Sequence, residues 1–202
     1  MYFEIFYNTH SYLIAILILT AIFGDYMVKY TKIQIYRAIF DNTTHALIGA
    51  LSWSIVCIIH KNRYAIQTLA EIALCMSIAS CIDLDHFVVA RSFYLKDATS
   101  LKSRPPLHCT TVPVVIVFVL ITIAYCQGTK WLLRLLFIVL TAFFSHHTRD
   151  AVRRGFWLYP FGTTKAIPYF GYISLTIIIP YIVSLSMNYV QIQKSVNVPI
   201  TV

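Results

Sequence analysis

Six long apolar runs divide this chain, and they constrain its fold more than any other feature of the sequence. Their approximate limits are 5–24, 44–60, 65–82, 111–127, 131–147 and 168–189. A helix needs about 20 apolar residues to cross a bilayer. Within hydrocarbon the backbone N–H and C=O groups must bond to each other, which a helix achieves within a single segment. The runs therefore predict an all-α, multi-pass transmembrane helical bundle of about six helices.

The low charge of the chain supports this class of protein. Only 12% of the 202 residues are charged, whereas soluble domains carry about 25%. We expect one transmembrane helical domain over residues 1–190 and a short polar C-terminal tail over 191–202. The first run is the weakest, but it lacks the basic start and cleavage site of a signal peptide, so it predicts a retained helix. The net charge of +8 fits contact with anionic lipid headgroups of the bilayer and does not indicate nucleic acid in this composition.

The distribution of Lys and Arg predicts how the helices are oriented. The connections after the first, third and fifth runs hold eleven of these residues, and the opposite side holds five. Because cytoplasmic loops carry the excess of Lys and Arg, those three connections are predicted to be cytoplasmic. The sequence leaves the particular membrane and the oligomeric state open.

Most of the side chains that can bind a metal lie at the ends of the runs, and the predicted threading places them all at the cytoplasmic end. Five of the seven histidines and five of the eight acids belong to this set. They are Asp25, Asp41, His45, Asp83, Asp85, His86, His108, His146, His147 and Asp150. Ionisable groups beside hydrocarbon are costly, so their collection on one face indicates a functional site. The five cysteines show no C-x-x-C spacing, which argues against a disulfide framework and a thiolate zinc site.

The string Asp83-Leu84-Asp85-His86 closes the third run and is the densest of these motifs. Two carboxylates and an imidazole within four residues suit a divalent ion. At helical spacing Asp83 and His86 share a face. The alternative is a solvated helix end, although acids near a helix C-terminus oppose the helix dipole.

The fifth run ends with His146 and Asp150, which are four residues apart and so lie on one face of a helix. The two side chains could bind one ion together, or Asp150 could orient His146. Spacing alone does not choose between His146 and His147, which is three residues from Asp150. A belt of interfacial histidines is the other alternative.

Three weaker elements share the same face. Asp41 and His45 are four residues apart before the second run, where the alternative is a helix N-cap formed by Asp41-Asn42-Thr43. His108 follows Pro105-Pro106 and gains weight only from sharing this face with the other motifs. Asp25 ends the first run, and its spacing also permits a pair with Lys29.

Further charged groups allow two interpretations each. Arg149, Arg153 and Arg154 follow the fifth run, and guanidinium groups suit phosphate, but an ordinary cytoplasmic loop would also carry them. Glu71 lies inside the third run toward the opposite face. It could mark a polar path through the bundle, although a bond to a neighbouring helix is the favoured interpretation.

Five motifs in order also carry a resemblance. They are Thr44-His45-x-x-x-Gly49, Asp83-x-Asp85-His86, Arg104-x-x-x-His108, Ser145-His146-x-x-x-Asp150 and Gly155-Phe156-Trp157-Leu158-Tyr159-Pro160-Phe161. Together they resemble the bacterial inner-membrane family of LexA-regulated, metal-dependent hydrolases. Within that group the chain is most similar to the transmembrane protein 267 family, over residues from about 25 to 180. The chain departs from the bacterial pattern His-Arg-Gly-x-Thr-His at Ser103 and Leu107.

The resemblance implies a multi-pass protein with a divalent-metal site, and it selects His146 over His147 through the His-x-x-x-Asp spacing. The candidate ligands that it implies are His45, Asp83, Asp85, His86, His108, His146 and Asp150.

The residues and the resemblance together predict a metal-dependent hydrolase of a lipid or phosphorylated substrate, with Zn²⁺ or Mn²⁺ bound at the cytoplasmic face. The expected metal ligands are His45, Asp83, His86, His108 and His146. Asp85 or Asp150 would act as a general base or orient a ligand, and Arg149 would bind an anionic group. Two alternatives stay open: a non-catalytic membrane protein with a structural or vestigial metal site, and a small ion transporter.

Overall fold

The computed structural model describes residues 2–61 and 64–196, and within them the side chains of residues 8–61 and 64–190. This part of the chain is all-α. Its helices are α1 (Tyr2–Tyr30), α2 (Gln34–Ile59), α3 (Ala65–Cys81), α4 (Asp85–Ala90), α5 (Leu95–Ala98), α6 (Thr111–Gln127), α7 (Lys130–Arg154) and α8 (Tyr169–Val196). Single 3₁₀ turns at Ile82–Leu84 and Pro106–His108 precede α4 and α6.

Five helical segments are long and apolar enough to cross a membrane. They are Asn8–Tyr30, Gln34–Ile59, Ala65–Ala90, Lys130–Arg154 and Tyr169–Val190. The sixth apolar helix, α6, has 17 residues and a length of about 25 Å, short of the roughly 30 Å hydrocarbon core. The chain is an integral multi-pass membrane protein, and the prediction of an all-α helical bundle is confirmed.

The helices extend beyond the apolar runs from which they were predicted. Helix α2 begins at Gln34 rather than near residue 44, and its N-cap is Ile33, so the expected N-cap at Asp41-Asn42-Thr43 is wrong. Helix α7 continues past 147 to Arg154. Helix α8 continues through the first residues of the expected tail to Val196, and the rest of that tail lies outside the described residues. The thickness of the hydrocarbon sets the length of the apolar stretch, but the backbone hydrogen bonds of a helix can continue beyond it.

Three helices meet at Gly49, about one turn beyond His45 on α2. A Cβ atom added at Gly49 would lie 2.8 Å from the Cβ of Ala79 on α3 and 3.6 Å from the Oγ of Ser145 on α7. Real Cβ atoms do not approach that closely, so only glycine permits α2 and α3 to pack at this distance. The close packing fixes how His45, one turn along α2, faces His146, the residue after Ser145.

An ion pair holds the opposite end of the bundle together. The Glu71 carboxylate accepts bonds from Arg134 Nε at 2.5 Å and Nη2 at 2.7 Å, from Gln67 at 2.9 Å and from the Trp53 indole at 3.2 Å. These bonds join α3 to α2 and α7. Glu71 therefore bonds to neighbouring helices, as the favoured interpretation expected, and its carboxylate is occupied rather than open to a passing ion.

Candidate metal centre

Four segments of the bundle bring their polar side chains to one end. Helix α2 carries His45, the 3₁₀ turn and α4 carry Asp83, Asp85 and His86, the turn before α6 carries His108, and α7 carries His146 and Asp150. Three overlapping groups have ligand atoms within 4.8 Å of one another. These groups are His45–His146–Asp150, Asp83–His108–His146 and Asp85–His86–His108.

The most deeply buried group combines α2 and α7. The rings of His45 and His146 stack with their centroids 3.7 Å apart and their planes 17° apart. The Nε2 atom of His45 lies 3.6 Å from Asp150 Oδ1, and that of His146 lies 3.5 Å from Asp150 Oδ2. Both imidazoles thus present Nε2 to the same carboxylate.

A backbone bond decides which nitrogen of His146 is available. Its Nδ1 lies 2.9 Å from the carbonyl oxygen of Ala79 on α3. Because a carbonyl only accepts, Nδ1 must carry the hydrogen, and a neutral His146 then has its lone pair on Nε2. Metal-ligating histidines are commonly oriented in this way.

His108 and Asp83 complete the centre. The Nε2 atom of His108 lies 3.2 Å from Asp83 Oδ1, 3.4 Å from Asp150 Oδ2 and 3.3 Å from His146 Nε2. The Nε2 atom of His146 lies 3.6 Å from Asp83 Oδ1. The two groups that share His146 together contain three imidazoles and two carboxylates, and we call His45, Asp83, His108, His146 and Asp150 the central cluster.

The spacing of the central cluster fits a bound divalent ion. Zinc binds His nitrogen and carboxylate oxygen at about 2.0–2.2 Å, so two ligands on a tetrahedral ion lie about 3.3–3.6 Å apart. The pairs of ligand atoms named above lie 3.2 to 3.6 Å apart, and all ligand atoms within a group lie within 4.8 Å of one another. His45 is 1% exposed, and neither of its ring nitrogens has a hydrogen-bond partner among the described residues. Buried polar atoms without partners are rare in native proteins, and an ion bonded to Nε2 would satisfy one of these two.

Asp85 lies behind His108 rather than in the central cluster. Its Oδ2 accepts the backbone N–H of Leu107 at 2.8 Å, and its Oδ1 lies 3.3 Å from His108 Nδ1. The carboxylate is buried and can hold the His108 ring so that Nε2 faces the cluster, which is the usual arrangement of a metal-ligating histidine. Burial alone would lower the pKa of His108, but the bonds to Asp83 and Asp85 raise that pKa to about 10.

His86 belongs to the edge of the site. Its Nδ1 lies 3.3 Å from Asp85 Oδ1, 3.3 Å from the Asp83 carbonyl oxygen and 3.9 Å from Asp83 Oδ1. The structure therefore places His86 beside Asp85 and not among the converging Nε2 atoms, although the sequence grouped it with the metal ligands.

His147 contacts the segment before α6 and does not belong to the central cluster. Its Nε2 lies 2.8 Å from the Leu107 carbonyl oxygen and its Nδ1 lies 3.1 Å from Thr110 Oγ1. The ring thus holds the segment that carries His108 against α7.

Arg149 lies away from the position expected for a substrate-binding residue. It is 3% exposed; its Nε bonds Asp25 Oδ1 at 3.0 Å, and its Nη1 bonds Asp41 Oδ1 at 2.5 Å. Tyr169 on α8 donates to the other oxygen of Asp25 at 3.2 Å. Arg149 thus joins α7 to α1 and α2, and Asp25 pairs with it rather than with the sequence neighbour Lys29. These partners are more than 100 residues away along the chain, so no local spacing could have revealed them.

A cavity of about 950 Å³ opens onto the central cluster. Asp83, His108 and Asp150 line it together with His86 and Arg153, whereas Arg149 does not. Arg153 is half exposed and bonds Asp150 at 2.6 Å and Asp41 at 3.2 Å. The sequence allowed Arg153 to be a phosphate-binding residue or part of an ordinary basic loop. One helical turn separates it from Asp150 and Arg149, a spacing that places all three on adjoining faces of α7.

Comparison with known proteins finds relatives that share most of this chain. Transmembrane protein 267 of Danio rerio is 43% identical over 155 residues, which cover 75% of this chain and 67% of the relative. The Xenopus laevis protein of the same name is 43% identical over 155 residues, covering 75% and 69%. The Mus musculus protein is 36% identical over 162 residues, covering 80% and 74%. No protein-family model and no solved structure matches the chain.

Proposed function

This chain belongs to the transmembrane protein 267 family, and from its geometry we propose that it is a membrane-embedded, metal-dependent hydrolase of a lipid or phosphorylated substrate. The observation that carries the proposal is the central cluster itself. Two groups of three ligands, His45–His146–Asp150 and Asp83–His108–His146, share His146, and each group brings its ligand atoms within 4.8 Å of one another beside a large cavity.

The donor set indicates which ion would bind. Imidazole and carboxylate together suit Zn²⁺ or Mn²⁺. His45, His108 and His146 offer Nε2, and Asp83 and Asp150 offer carboxylate oxygens. Either group that shares His146 would supply three of these ligands to the ion, which leaves a coordination position open. Such an ion, when bound, supplies Lewis-acid activation of water and of the scissile ester.

The exposure of the ligands favours catalysis over a closed structural site. His146 and His45 are buried, but the side chains of Asp83 and Asp150 are 26% and 24% exposed and line the cavity. An ion held here would be enclosed on the α2 and α7 side and would face the cavity on the other. Catalytic metal sites keep such an open position, whereas structural sites are closed by protein ligands.

Residues around the cluster would orient the ligands and move protons. Asp85 holds His108, the Ala79 carbonyl holds His146, and Arg153 holds Asp150 from the cavity side. His86 has its Nδ1 directed at Asp85 and the Asp83 carbonyl, so its Nε2 is the atom that can accept or donate a proton in the cavity. We assign the acid–base role to His86 and a positioning role to Asp85.

The resemblance to the LexA-regulated hydrolases supports the same proposal from sequence. The His45, Asp83-x-Asp85-His86, His108 and His146-x-x-x-Asp150 motifs all contribute side chains to the centre or its edge.

A structural metal clamp is the second candidate function. Its support is that the ligands come from separate segments. The group Asp83–His108–His146 alone would let a bound ion join the 3₁₀ turn before α4, the turn before α6, and α7.

Metal content of the detergent-purified protein tests the proposal. We expect about one divalent ion per chain in the wild type, and its loss in His146→Ala and Asp83→Ala. His10→Ala and His60→Ala are matched controls, because those histidines bond Tyr181 and Ser184 at the other end of the bundle. Equal metal content in all five proteins would show that the cluster is a belt of polar helix ends.

Turnover separates the two candidate functions. A hydrolase loaded with metal should cleave a phosphate ester, and His86→Gln should lower the rate while the metal stays bound. A clamp should show no turnover, and removal of the ion should lower its melting temperature. Retained activity in His86→Gln with an unchanged pH profile would remove His86 from the acid–base role.

A further inference from the structure

We propose that the substrate is a lipid phosphate of the surrounding bilayer, with its phosphate beside the central cluster and its acyl chain in a groove between α2 and α3. This inference rests on the proposed function, whose cavity it assigns to one class of substrate. Three features of the cavity carry it: its charge, its apolar wall and the position of its lateral opening.

The charge of the cavity fits an anionic headgroup. Five cations line it, against three acids. The cations are Lys29, Arg37, Arg104, Arg153 and Arg154. Of the acids, Asp83 and Asp150 would be neutralised by a divalent ion, and Asp41 already pairs with Arg149 and Arg153. The loaded cavity is therefore strongly positive, and guanidinium groups are the side chains that best match a phosphate.

Two of the arginines lie next to each other in the wall of the cavity. Arg104 lies in the segment before α6, and its guanidinium bonds the carbonyl oxygens of Gly155, at 3.0 Å, and of Arg154. Arg154 is the last residue of α7, one turn beyond Asp150. A phosphate bound by these two arginines would lie in the same cavity as the carboxylates of Asp83 and Asp150.

The same cavity has an apolar wall on its other side. Leu47 on α2 and Met76 on α3 line the cavity and are 41% and 38% exposed. Both belong to segments that cross the membrane. An apolar wall formed by two membrane-crossing helices fits an acyl chain, and the cavity would then open to the lipid between α2 and α3. We call Ala46, Leu47, Met76 and Ser80 the α2–α3 groove.

Helix packing explains why the opening lies there. Helices α2 and α3 are in closest contact at Gly49 and Ala79, and the small side chains of Ala46 and Ser80 come next toward the polar end. Small residues on both helices leave a space that no described side chain fills. A headgroup without a chain would use the cations and leave this apolar space empty, so the combination selects an amphiphile over a soluble phosphate.

Binding of a lipid analogue tests the inference without requiring turnover. The probe is a fluorescent phosphonate analogue of phosphatidic acid, which resists hydrolysis, added to the zinc-loaded protein in detergent micelles. Fluorescent diacylglycerol supplies the chain without the phosphate, and unlabelled glycerol phosphate is the competitor without the chain. We expect saturable binding of the phosphonate, weak binding of diacylglycerol and poor competition by glycerol phosphate.

Paired variants locate the two halves of the ligand. Arg154→Gln should weaken binding about tenfold, because a charged hydrogen bond to the phosphate is lost, whereas Lys165→Gln, on the same face but outside the cavity, should leave it unchanged. Ala46→Phe should also weaken binding about tenfold by filling the α2–α3 groove. Ala73→Phe is its control, since Ala73 is exposed on α3 and does not line the cavity.

The outcomes distinguish this inference from the function on which it rests. Equal binding in Ala46→Phe and Ala73→Phe, or equal competition by glycerol phosphate, would overturn the groove assignment. If Ala46→Phe fails to fold, Met76→Trp on the exposed side of the groove replaces it. Cleavage of p-nitrophenyl phosphate with metal bound but no lipid binding would leave the hydrolase and remove the lipid. Lipid binding with no metal and no cleavage would keep the lipid as ligand and remove the hydrolase function.

Discussion

At the scale of single residues, hydrogen bonds to the second ring nitrogen decide what each imidazole can do. The Ala79 carbonyl accepts a hydrogen bond from His146 Nδ1, and the Asp85 carboxylate accepts one from His108 Nδ1. Both rings therefore direct Nε2 at the same point. His45 lacks such a partner among the described residues and is oriented instead by its stacking on His146. Adjacent histidines in the sequence therefore have separate tasks, with His146 in the cluster and His147 on the Leu107 carbonyl.

Asp85→Asn tests the orientation of His108. The substitution keeps the shape of the side chain but removes the charge behind the ring, and changes of this kind cost about 10–100-fold in metal affinity. We expect that loss in a competition titration against a chelator, with one ion still bound at saturation. Asp97→Asn, which removes an acid bonded to Ser92 outside the cluster, should bind metal as the wild type does. An unchanged affinity in Asp85→Asn would show that Asp85 does not act through His108.

Metal affinity should rise with pH. Burial opposes the charge on His108, but Asp83 and Asp85 raise its pKa to about 10, so the metal-free protein keeps this ring protonated at neutral pH. A metal needs the neutral ring and must displace that proton, which predicts about a tenfold gain in affinity per pH unit below pH 9. Calorimetry in buffers of different ionisation enthalpy would count the proton released. Release of no proton at pH 7 would contradict a ligand role for His108.

At the scale of secondary-structure elements, the site depends on how closely α2, α3 and α7 approach one another. Gly49 sets that distance, because an added Cβ would come within 2.8 Å of the Ala79 Cβ. The contact also places the Ala79 carbonyl against His146. A glycine that looks like part of a metal motif in the sequence, four residues after His45, is thus a packing residue.

Gly49→Ala should separate α2 from α3 and destabilise the bundle by about 1–3 kcal/mol. Adding Ala79→Gly removes the opposing methyl group and should restore much of the loss. Thermal unfolding in detergent measures both effects. Gly171→Ala in α8 is the matched control, since its added Cβ would lie 3.5 Å from Pro168 in ordinary contact. Similar melting temperatures for the Gly49 and Gly171 variants would mean that the close contact is not limiting.

Arg149 holds α1 and α2 to α7, and its removal should leave Asp25 without a cation and Asp41 with Arg153 alone. Losing one member of a buried ion pair typically costs about 3–5 kcal/mol, so Arg149→Met should lower the melting temperature strongly. Adding Asp25→Asn and Asp41→Asn should restore part of the lost melting temperature, because neutral amides need no counter-charge. Lys165→Met, an exposed position on the same face, is the control. A mild effect of Arg149→Met on stability combined with loss of phosphate binding would return Arg149 to the substrate role.

At the scale of the whole molecule, the threading of the helices puts the cluster, the cavity and the basic segments on one side of the membrane. The ends of α1, α3 and α7 and the starts of α2, α6 and α8 meet there, while Glu71 and Arg134 hold the other side. The excess of Lys and Arg predicts that the cluster side is cytoplasmic.

Single cysteines at Lys102 and Lys165 should react with an impermeant maleimide only after the cytoplasmic face is opened, and a cysteine at Lys130 should react from the other side. The native exposed thiols Cys81 and Cys126 would first be replaced by serine. Labelling of both loop positions from outside would invert the orientation and move the cluster to the exterior or lumen.

The sequence by itself determined the class of fold and the face that carries the site. The length of each apolar run is a local property, and in hydrocarbon it requires a helix, so the bundle followed from the residues alone. The predicted start of α6 at residue 111 and the predicted all-α class both agree with the structure. The residue types that converge were also visible, because ionisable groups beside hydrocarbon are too costly to be incidental.

Only the tertiary structure decided which atoms meet. Whether His45 faces His146 depends on the rotation and spacing of α2 against α7, which the contacts at Gly49 set and no spacing within one helix encodes. Arg149 pairs with Asp25, 124 residues away, and so lies buried where its sequence neighbours suggested a phosphate site. Asp85 and His86 are adjacent in the chain, yet Asp85 contacts His108 Nδ1 and His86 lines the cavity. Such assignments depend on distances between segments that are remote in sequence, and folding alone brings those segments together.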